Sequence, residues 1–184
     1  ARRGTHDVLE VQQGTLALDG FKFEGTTTAV KINGGTLSVA SGTTLNNPVI
    51  AASNSGTLTG NGAVNGAVTL DAGLTVAPSS GTLSVSGNIG GSGALTKSGA
   101  GTLTLSGTNT YSGDTSVSAG SLILANASGS GTGTGNVTVS TGANLLVGTG
   151  TAAGALTGNI SNSGNVTFSR SDASTYAGVL SAFG

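Results

Sequence analysis

Aliphatic side chains in this chain come in pairs separated by a single residue. Leu9/Val11, Leu16/Leu18, Val30/Ile32, Leu37/Val39, Val68/Leu70, Leu74/Val76, Leu83/Val85, Leu103/Leu105, Leu122/Leu124, Val137/Val139, Leu145/Val147 and Val166/Phe168 all follow this rule, mostly with Ser or Thr between them. Successive side chains of an extended chain point to opposite faces, so each pair predicts a three-residue strand with two residues inward and one outward. Several pairs begin six to eight residues apart, as at 9 and 16, 30 and 37, or 137 and 145. That interval predicts two short strands per repeat, joined by a tight corner.

The pairs recur with a period. Gly-Thr-Leu, or Gly-Ser-Leu, begins at Gly14, Gly35, Gly56, Gly81, Gly101 and Gly120, at intervals of 21, 21, 25, 20 and 19 residues. A period of about 20 to 50 residues is the signature of stacked repeats. The expectation is an all-β, single-stranded parallel β-helix (β-solenoid) of about nine coils of roughly 21 residues, on the order of 40 Å tall. Its shaft is lined by Leu16, Leu18, Leu37, Val39, Leu83, Val85, Leu103, Leu105, Leu122 and Leu124, with the tripeptide returning to one corner at every storey. Glycine and asparagine mark corners because both accept positive φ at modest cost, and some asparagines are expected to stack as amide ladders. The whole of 1–184 reads as one solenoid domain or fragment.

Composition sharpens this picture. With 34 glycines, two prolines and six aromatics the chain is far from an ordinary globular domain. Glycine has no period of three, which excludes collagen, and the regular Leu/Val pairs exclude a disordered Gly/Ser/Thr tract. Residues 1–31 hold eight of the thirteen charged side chains, plus Phe21 and Phe23, and read as more charged edge coils. Residues 126–136, Asn-Ala-Ser-Gly-Ser-Gly-Thr-Gly-Thr-Gly-Asn, read as a flexible loop bulging from a corner. Net charge −1 offers no footprint for nucleic acid, no run of 18 apolar residues predicts direct membrane insertion, and the absence of cysteine excludes disulfides and thiolate metal sites.

The stretch from Gly93 to Leu124 carries a resemblance. It contains Leu95-Thr96-Lys97, Gly101 to Gly107, Asn109-Thr110-Tyr111 with Gly113, and Thr115 to Leu122. In this order and spacing these elements closely resemble the autotransporter-associated β-strand repeat, also called the passenger-associated transport repeat, over about 30 of the 184 residues. The resemblance implies a right-handed parallel β-helix, part of a passenger domain secreted through the outer membrane of a bacterium. It marks Leu95, Lys97, Gly101, Asn109, Tyr111 and Gly113 as the repeat motif, and for Lys97 and Tyr111 a structural role is expected. Tyr176-Ala-Gly178 echoes Tyr111-Ser-Gly113, as if each tyrosine packs over a glycine.

Candidate chemistry is sparse. A polysaccharide-cleaving β-helix needs clustered carboxylates, and only Asp7, Glu10, Asp19 and Glu24 stand close enough in sequence to meet, as a solvated edge. His6 is the one imidazole and lies in a terminal segment. Gly-rich strings such as Gly129-Ser-Gly-Thr-Gly-Thr-Gly lack the following helix and Gly-Lys-Ser/Thr of a phosphate loop. Asn126, Asn136, Asn159 and Asn165 begin Asn-x-Ser/Thr sequons and read as turn chemistry. Outward Thr pairs such as Thr57/Thr59 and Thr102/Thr104 suit an ice-binding solenoid, but their spacing along the chain is too irregular for a lattice-matched face. No catalytic, metal or cofactor residue is assigned.

Three functions are set against each other: an extracellular structural or adhesive stalk on a bacterial surface, a filament built by end-to-end stacking of copies, and a carbohydrate-active enzyme, which the composition disfavours. A seam at the chain's end supports the second. Gly87-Asn-Ile-Gly-Gly-Ser-Gly93 and Gly158-Asn-Ile-Ser-Asn-Ser-Gly164 each lead into a new unit, whereas Gly178-Val-Leu-Ser-Ala-Phe-Gly184 is the last heptad of the sequence. Any host or cell-surface ligand is unknown at this level.

Overall fold

The structure, a computed structural model, describes residues 7–20 and 27–182. The predictions on His6, Phe21, Phe23 and Glu24 lie outside the described residues. The strands run in chain order as β1 (Asp7–Val11), β2 (Thr15–Leu18), β3 (Thr27–Ile32), β4 (Thr36–Val39), β5 (Thr44–Leu45), β6 (Val49–Ala51), β7 (Gly56–Gly60), β8 (Ala63–Val64), β9 (Val68–Leu70), β10 (Leu74–Val76) and β11 (Thr82–Val85). They continue as β12 (Ile89–Gly91), β13 (Leu95–Lys97), β14 (Thr102–Leu105), β15 (Thr115–Val117), β16 (Ser121–Leu124), β17 (Val137–Val139), β18 (Asn144–Thr151), β19 (Ile160–Asn162), β20 (Asn165–Arg170) and β21 (Leu180–Ala182).

These strands stack into three parallel sheets. The first face is β1-β3-β6-β9-β12, the second is β2-β4-β7-β10-β13-β15-β17-β19-β21, and the third is β5-β8-β11-β14-β16-β18-β20. Each face keeps sequence order, so the chain climbs as a β-solenoid of about eight turns spaced by about 21 residues. Every inward position repeats one turn on: Leu16 stands beside Leu37, Leu37 beside Leu58, and Leu103 beside Leu122. Turns vary in length, from the 18 residues between Leu58 and Val76 to the 23 between Val137 and Ile160, and the corners absorb the difference.

Several expectations change in three dimensions. A coil of the lower half has three strands, not two. The third face is hidden in sequence because β5 and β8 bury one aliphatic side chain each, Leu45 and Val64, and so form no doublet. Nor does the Gly-Thr-Leu signal stay on one face. Leu16, Leu37 and Leu58 line the second face, whereas Leu83, Leu103 and Leu122 line the third. The 25-residue interval holds one turn of 18 residues plus the seven that carry the chain on to the next face. The tripeptide is a corner signal, and the solenoid has more than one tight corner. A Cβ on Gly56 would enter the side chain of Ile32, and one on Gly101 would stand 3.0 Å from the Gly81 carbonyl oxygen.

The core is a continuous aliphatic column. Leu18, Leu37, Val39, Leu83, Val85, Leu103, Leu105, Leu122 and Leu124 are all buried, while Leu16 is half-buried against the first coil's open side. Two doublets expected inward are only partly so. In β1 Val11 is buried but Leu9 is exposed, and in β20 Val166 is half-buried with Phe168 44% exposed. Among the described residues both strands have a neighbour on one side only.

Residues 126–136 also depart from expectation. Only 127–129 and scattered later positions are exposed; Asn126, Ser130 and Thr132 are buried. The first face ends at β12, and above it the chain fills that sector with irregular backbone held by Asn109. The Asn109 Oδ1 accepts the Ile89 N–H at 2.8 Å, its Nδ2 donates to the Gly131 carbonyl at 2.6 Å, and Asn109 bridges Ser130 through the backbone. Backbone bonds from the Thr110 N–H to the Ile89 carbonyl at 2.8 Å and from the Thr134 N–H to the Tyr111 carbonyl at 2.9 Å act beside this amide, so the Gly/Ser/Thr run packs instead of bulging.

Candidate functional site

The repeat motif spans one turn: Leu95 and Lys97 lie in β13, Gly101 precedes β14, and Asn109, Tyr111 and Gly113 lie between β14 and β15. Leu95 and Lys97 are the inward residues of β13, and both are buried. Lys97 therefore replaces an aliphatic in a column that reads Val76, Lys97, Val117, Val139. Its ammonium has three N–H donors, and all three are used: Nζ donates to the carbonyls of Ser98, Gly99 and Ala119, each at 2.9 Å. Burial pushes Lys97 below the ordinary lysine value, and the carbonyl cage opposes that by favouring the charged form. The cage ties the corner after β13 to the corner one turn above, and Gly120 leaves it room, since a Cβ there would stand 2.8 Å from Nζ.

Tyr111 is the largest fully buried side chain among the described residues. Its hydroxyl lies 2.6 Å from Thr115 Oγ1, and burial raises the phenol well above its usual pKa. Gly133 covers it, for a Cβ there would meet ring Cγ at 3.1 Å and run into the Tyr111 carbonyl. Thr115, Val137, Ile160 and Leu180 are register partners, so Tyr111 and Tyr176, each four residues earlier, stand in one sector three turns apart. The Tyr176 hydroxyl donates to the Gly158 carbonyl at 2.6 Å and lies over Gly178.

Gly113 belongs to a glycine column. A Cβ on Gly113, Gly135 or Gly158 would strike the carbonyl of Gly93, Gly113 or Gly135 respectively, one turn below. Beside it runs a polar ladder. Asp114 Oδ1 accepts the Asn136 N–H at 2.8 Å, Asn136 Oδ1 the Asn159 N–H at 3.2 Å, and Asn159 Oδ1 the Val179 N–H at 2.9 Å. Single amide–amide contacts join Asn46 to Asn65 at 3.2 Å and Asn144 to Asn165 at 3.0 Å.

The outer surface of the second face is uniform. Thr15, Thr36, Thr57, Thr75, Thr96, Ser116, Thr138, Ser161 and Ser181 form one register column. Irregular spacing in the sequence conceals this order, because the extra residues sit in corners and not in strands. Among the described residues no group of acids and histidines is arranged to hold a metal ion. Glu10 pairs with Lys31 at 3.3 Å and accepts from Asn33 Nδ2 at 2.7 Å, which pulls its carboxyl below the usual range.

One concavity lies between the last two described turns, where both coils lengthen after the third face. It is a cleft of about 280 Å³ whose walls include Val147, Leu156, Phe168, Arg170 and Tyr176. The rings of Phe168 and Tyr176 are 5.5 Å apart and tilted by 37°. Arg170 is held by Asp172, from Nε at 2.9 Å and Nη2 at 2.8 Å, and by the Gly154 carbonyl at Nη1. Pairing raises the guanidinium's pKa and lowers the carboxyl's. Sequence reading missed this cleft. Its signal is the long interval between the pairs at 166/168 and the next repeat, holding Arg170, Asp172 and Tyr176.

Residues 95–124 match the model of the family described as the passenger-associated-transport-repeat. No curated protein and no solved structure matches the chain.

Proposed function

Proceeding from a β-solenoid that carries a passenger-associated transport repeat, we propose that this chain is a section of an autotransporter-type passenger, a structural and adhesive scaffold held at or released from a bacterial surface. The observation that supports this most is the second face: nine described strands in unbroken parallel order, with an uncharged hydroxyl column outside and mostly aliphatics inside. Each coil pairs its backbone with its neighbours, so length is added without changing the cross-section. The chain acts as a spacer that sets how far adhesive surface stands from the cell. This reading gives it no catalytic role, no cofactor, no nucleic-acid partner and no direct membrane insertion.

The test is made on intact cells expressing the full-length parent protein with an epitope inserted at the exposed turn 127–129. Added protease should remove the epitope while a periplasmic marker stays intact. Retention of both under conditions that shave known surface proteins would refute the location.

End-to-end stacking into filaments is the second reading, favoured by Val179 and Leu180, which are 63% and 50% exposed on the last described turn, and by Val8 and Leu9 on the first. Sedimentation of the purified chain over a wide concentration range separates the two. A single slow species supports a spacer alone, and concentration-dependent fibres support stacking.

A further inference from the structure

We propose that the cleft between residues 147–156 and 168–176 is a binding site for a neutral sugar, one pyranose ring in size. The inference does not depend on the scaffold reading, because it rests on the cleft alone.

Size comes first. Clefts that hold drug-sized molecules run from roughly 300 Å³ upward. At about 280 Å³ this one sits just below that range and suits a ligand of a dozen or so heavy atoms, not a peptide segment or an acyl chain.

Charge comes second. Arg170 is the one charged side chain in the lining, and its cation is already matched: Asp172 takes Nε and Nη2, and the Gly154 carbonyl takes Nη1. Among the described residues no unmatched charge faces the cavity, so an anionic or cationic ligand has nothing to recognise there.

The distribution of polarity is the third constraint. Val147 and Leu156 are buried at the back, and the Phe168 ring, 44% exposed, lies tilted against Tyr176. Ser174 and Thr175 stand exposed at the edge, each offering a hydroxyl that both donates and accepts. A lining that joins aromatic and aliphatic side chains to two hydroxyl residues matches a pyranose, whose ring presents C–H faces and whose edge presents hydroxyls. A wholly apolar guest, such as a side chain from a docking strand, would cover those hydroxyls without pairing them, which is unfavourable.

The walls are also fixed beforehand. Arg170 clamps the corner at Gly154 from the neighbouring turn, and Tyr176 is tethered to the Gly158 carbonyl. Rigid walls lower the ordering cost of binding.

The test titrates the 184-residue chain with methyl glycosides of glucose, galactose, mannose and N-acetylglucosamine, followed by amide chemical shifts. Saturable binding of at least one, with Kd on the order of millimolar, is expected for a ligand this small. The shifts should map to 147–156 and 168–176. Phe168→Ala should weaken binding at least tenfold, and the Ser174→Ala/Thr175→Ala double variant several-fold with an unchanged circular dichroism spectrum. Thr104→Ala, on the third face's outer surface, should change nothing. If Phe168→Ala proves unfolded, the double variant decides. Absence of saturable binding by all four glycosides overturns the proposal, as does binding that the double variant leaves intact. Cyclohexanol binding more tightly than every glycoside also overturns it, and assigns the cleft to an apolar side chain.

Discussion

Lys97 and Tyr111 each place a polar group in a shaft lined mostly by aliphatics, and each is tolerated because its polar atom is hydrogen-bonded. Lys97→Met keeps the stem but removes three donors, leaving the Ser98, Gly99 and Ala119 carbonyls short of one bond each. Stripping partners from buried groups costs about 1–3 kcal/mol per group, less where water or a second bond remains. We expect Lys97→Met to lower stability by about 2–4 kcal/mol in urea denaturation, within the range of diagnostic single substitutions. Tyr111 predicts a pH dependence. Its folded pKa is raised, so its contribution is fully present below the unfolded value of about 10 and is lost as pH climbs above that toward the folded value, because the unfolded chain then releases a proton that the native chain keeps. Tyr111→Phe should therefore flatten the fall of stability above pH ~10, while costing about 1–2 kcal/mol at neutral pH through the buried Thr115 hydroxyl it orphans. The motif made both residues visible in the sequence. Of their partners, Ser98, Gly99 and Thr115 are close in sequence, but Ala119 is brought to Lys97 by the corner of the next turn, which depends on corner length.

Strands were the most legible elements and corners the least. Alternation located most of the inward doublets because a strand inside a stack has no choice of face: its outward residue meets water and its inward ones meet the shaft. The rule fails at β1 and β20, where no turn covers Leu9 and Phe168 among the described residues, and at β5 and β8, where two residues cannot alternate visibly. Corner composition misled in another way. A Gly/Ser/Thr run such as 126–136 has the composition of a linker, yet the glycines at 131 and 133 are there because a Cβ would hit Leu124 and Asn126 or the backbone of Tyr111. The cleft was hidden for a related reason, as its walls come from two turns whose alignment only the register supplies. The inward assignment itself is tested by Leu103→Asp with Leu105→Asp. Both side chains are essentially inaccessible, and each carboxylate would enter a column with no compensating donor. Loss of the cooperative thermal transition is expected, and a native-like β spectrum with a normal melting curve would contradict it.

At the scale of the molecule, contacts join each turn to the one before and the one after, so stability should behave as a chain of nearest-neighbour terms. Register, more than sequence identity, is then what a deletion has to respect. Leu37 and Leu58 occupy equivalent positions one turn apart. Removing residues 37–57 joins Thr36 to Leu58 and takes out one complete turn, leaving every inward residue above the junction in its column. Removing 37–47 takes out about half a turn, so the strands above the junction arrive on the wrong face and their aliphatic pairs no longer meet the shaft. The two deletions differ by ten residues, and the larger one should do less harm. On the scale of about 0.05–0.15 kcal/mol per residue, losing one turn should lower stability by roughly 1–3 kcal/mol with a cooperative transition retained. The half-turn deletion should abolish that transition. Circular dichroism melts of the two variants, run beside the parent chain, decide the matter: equal damage from both would mean that the stack is not held by neighbour-to-neighbour register.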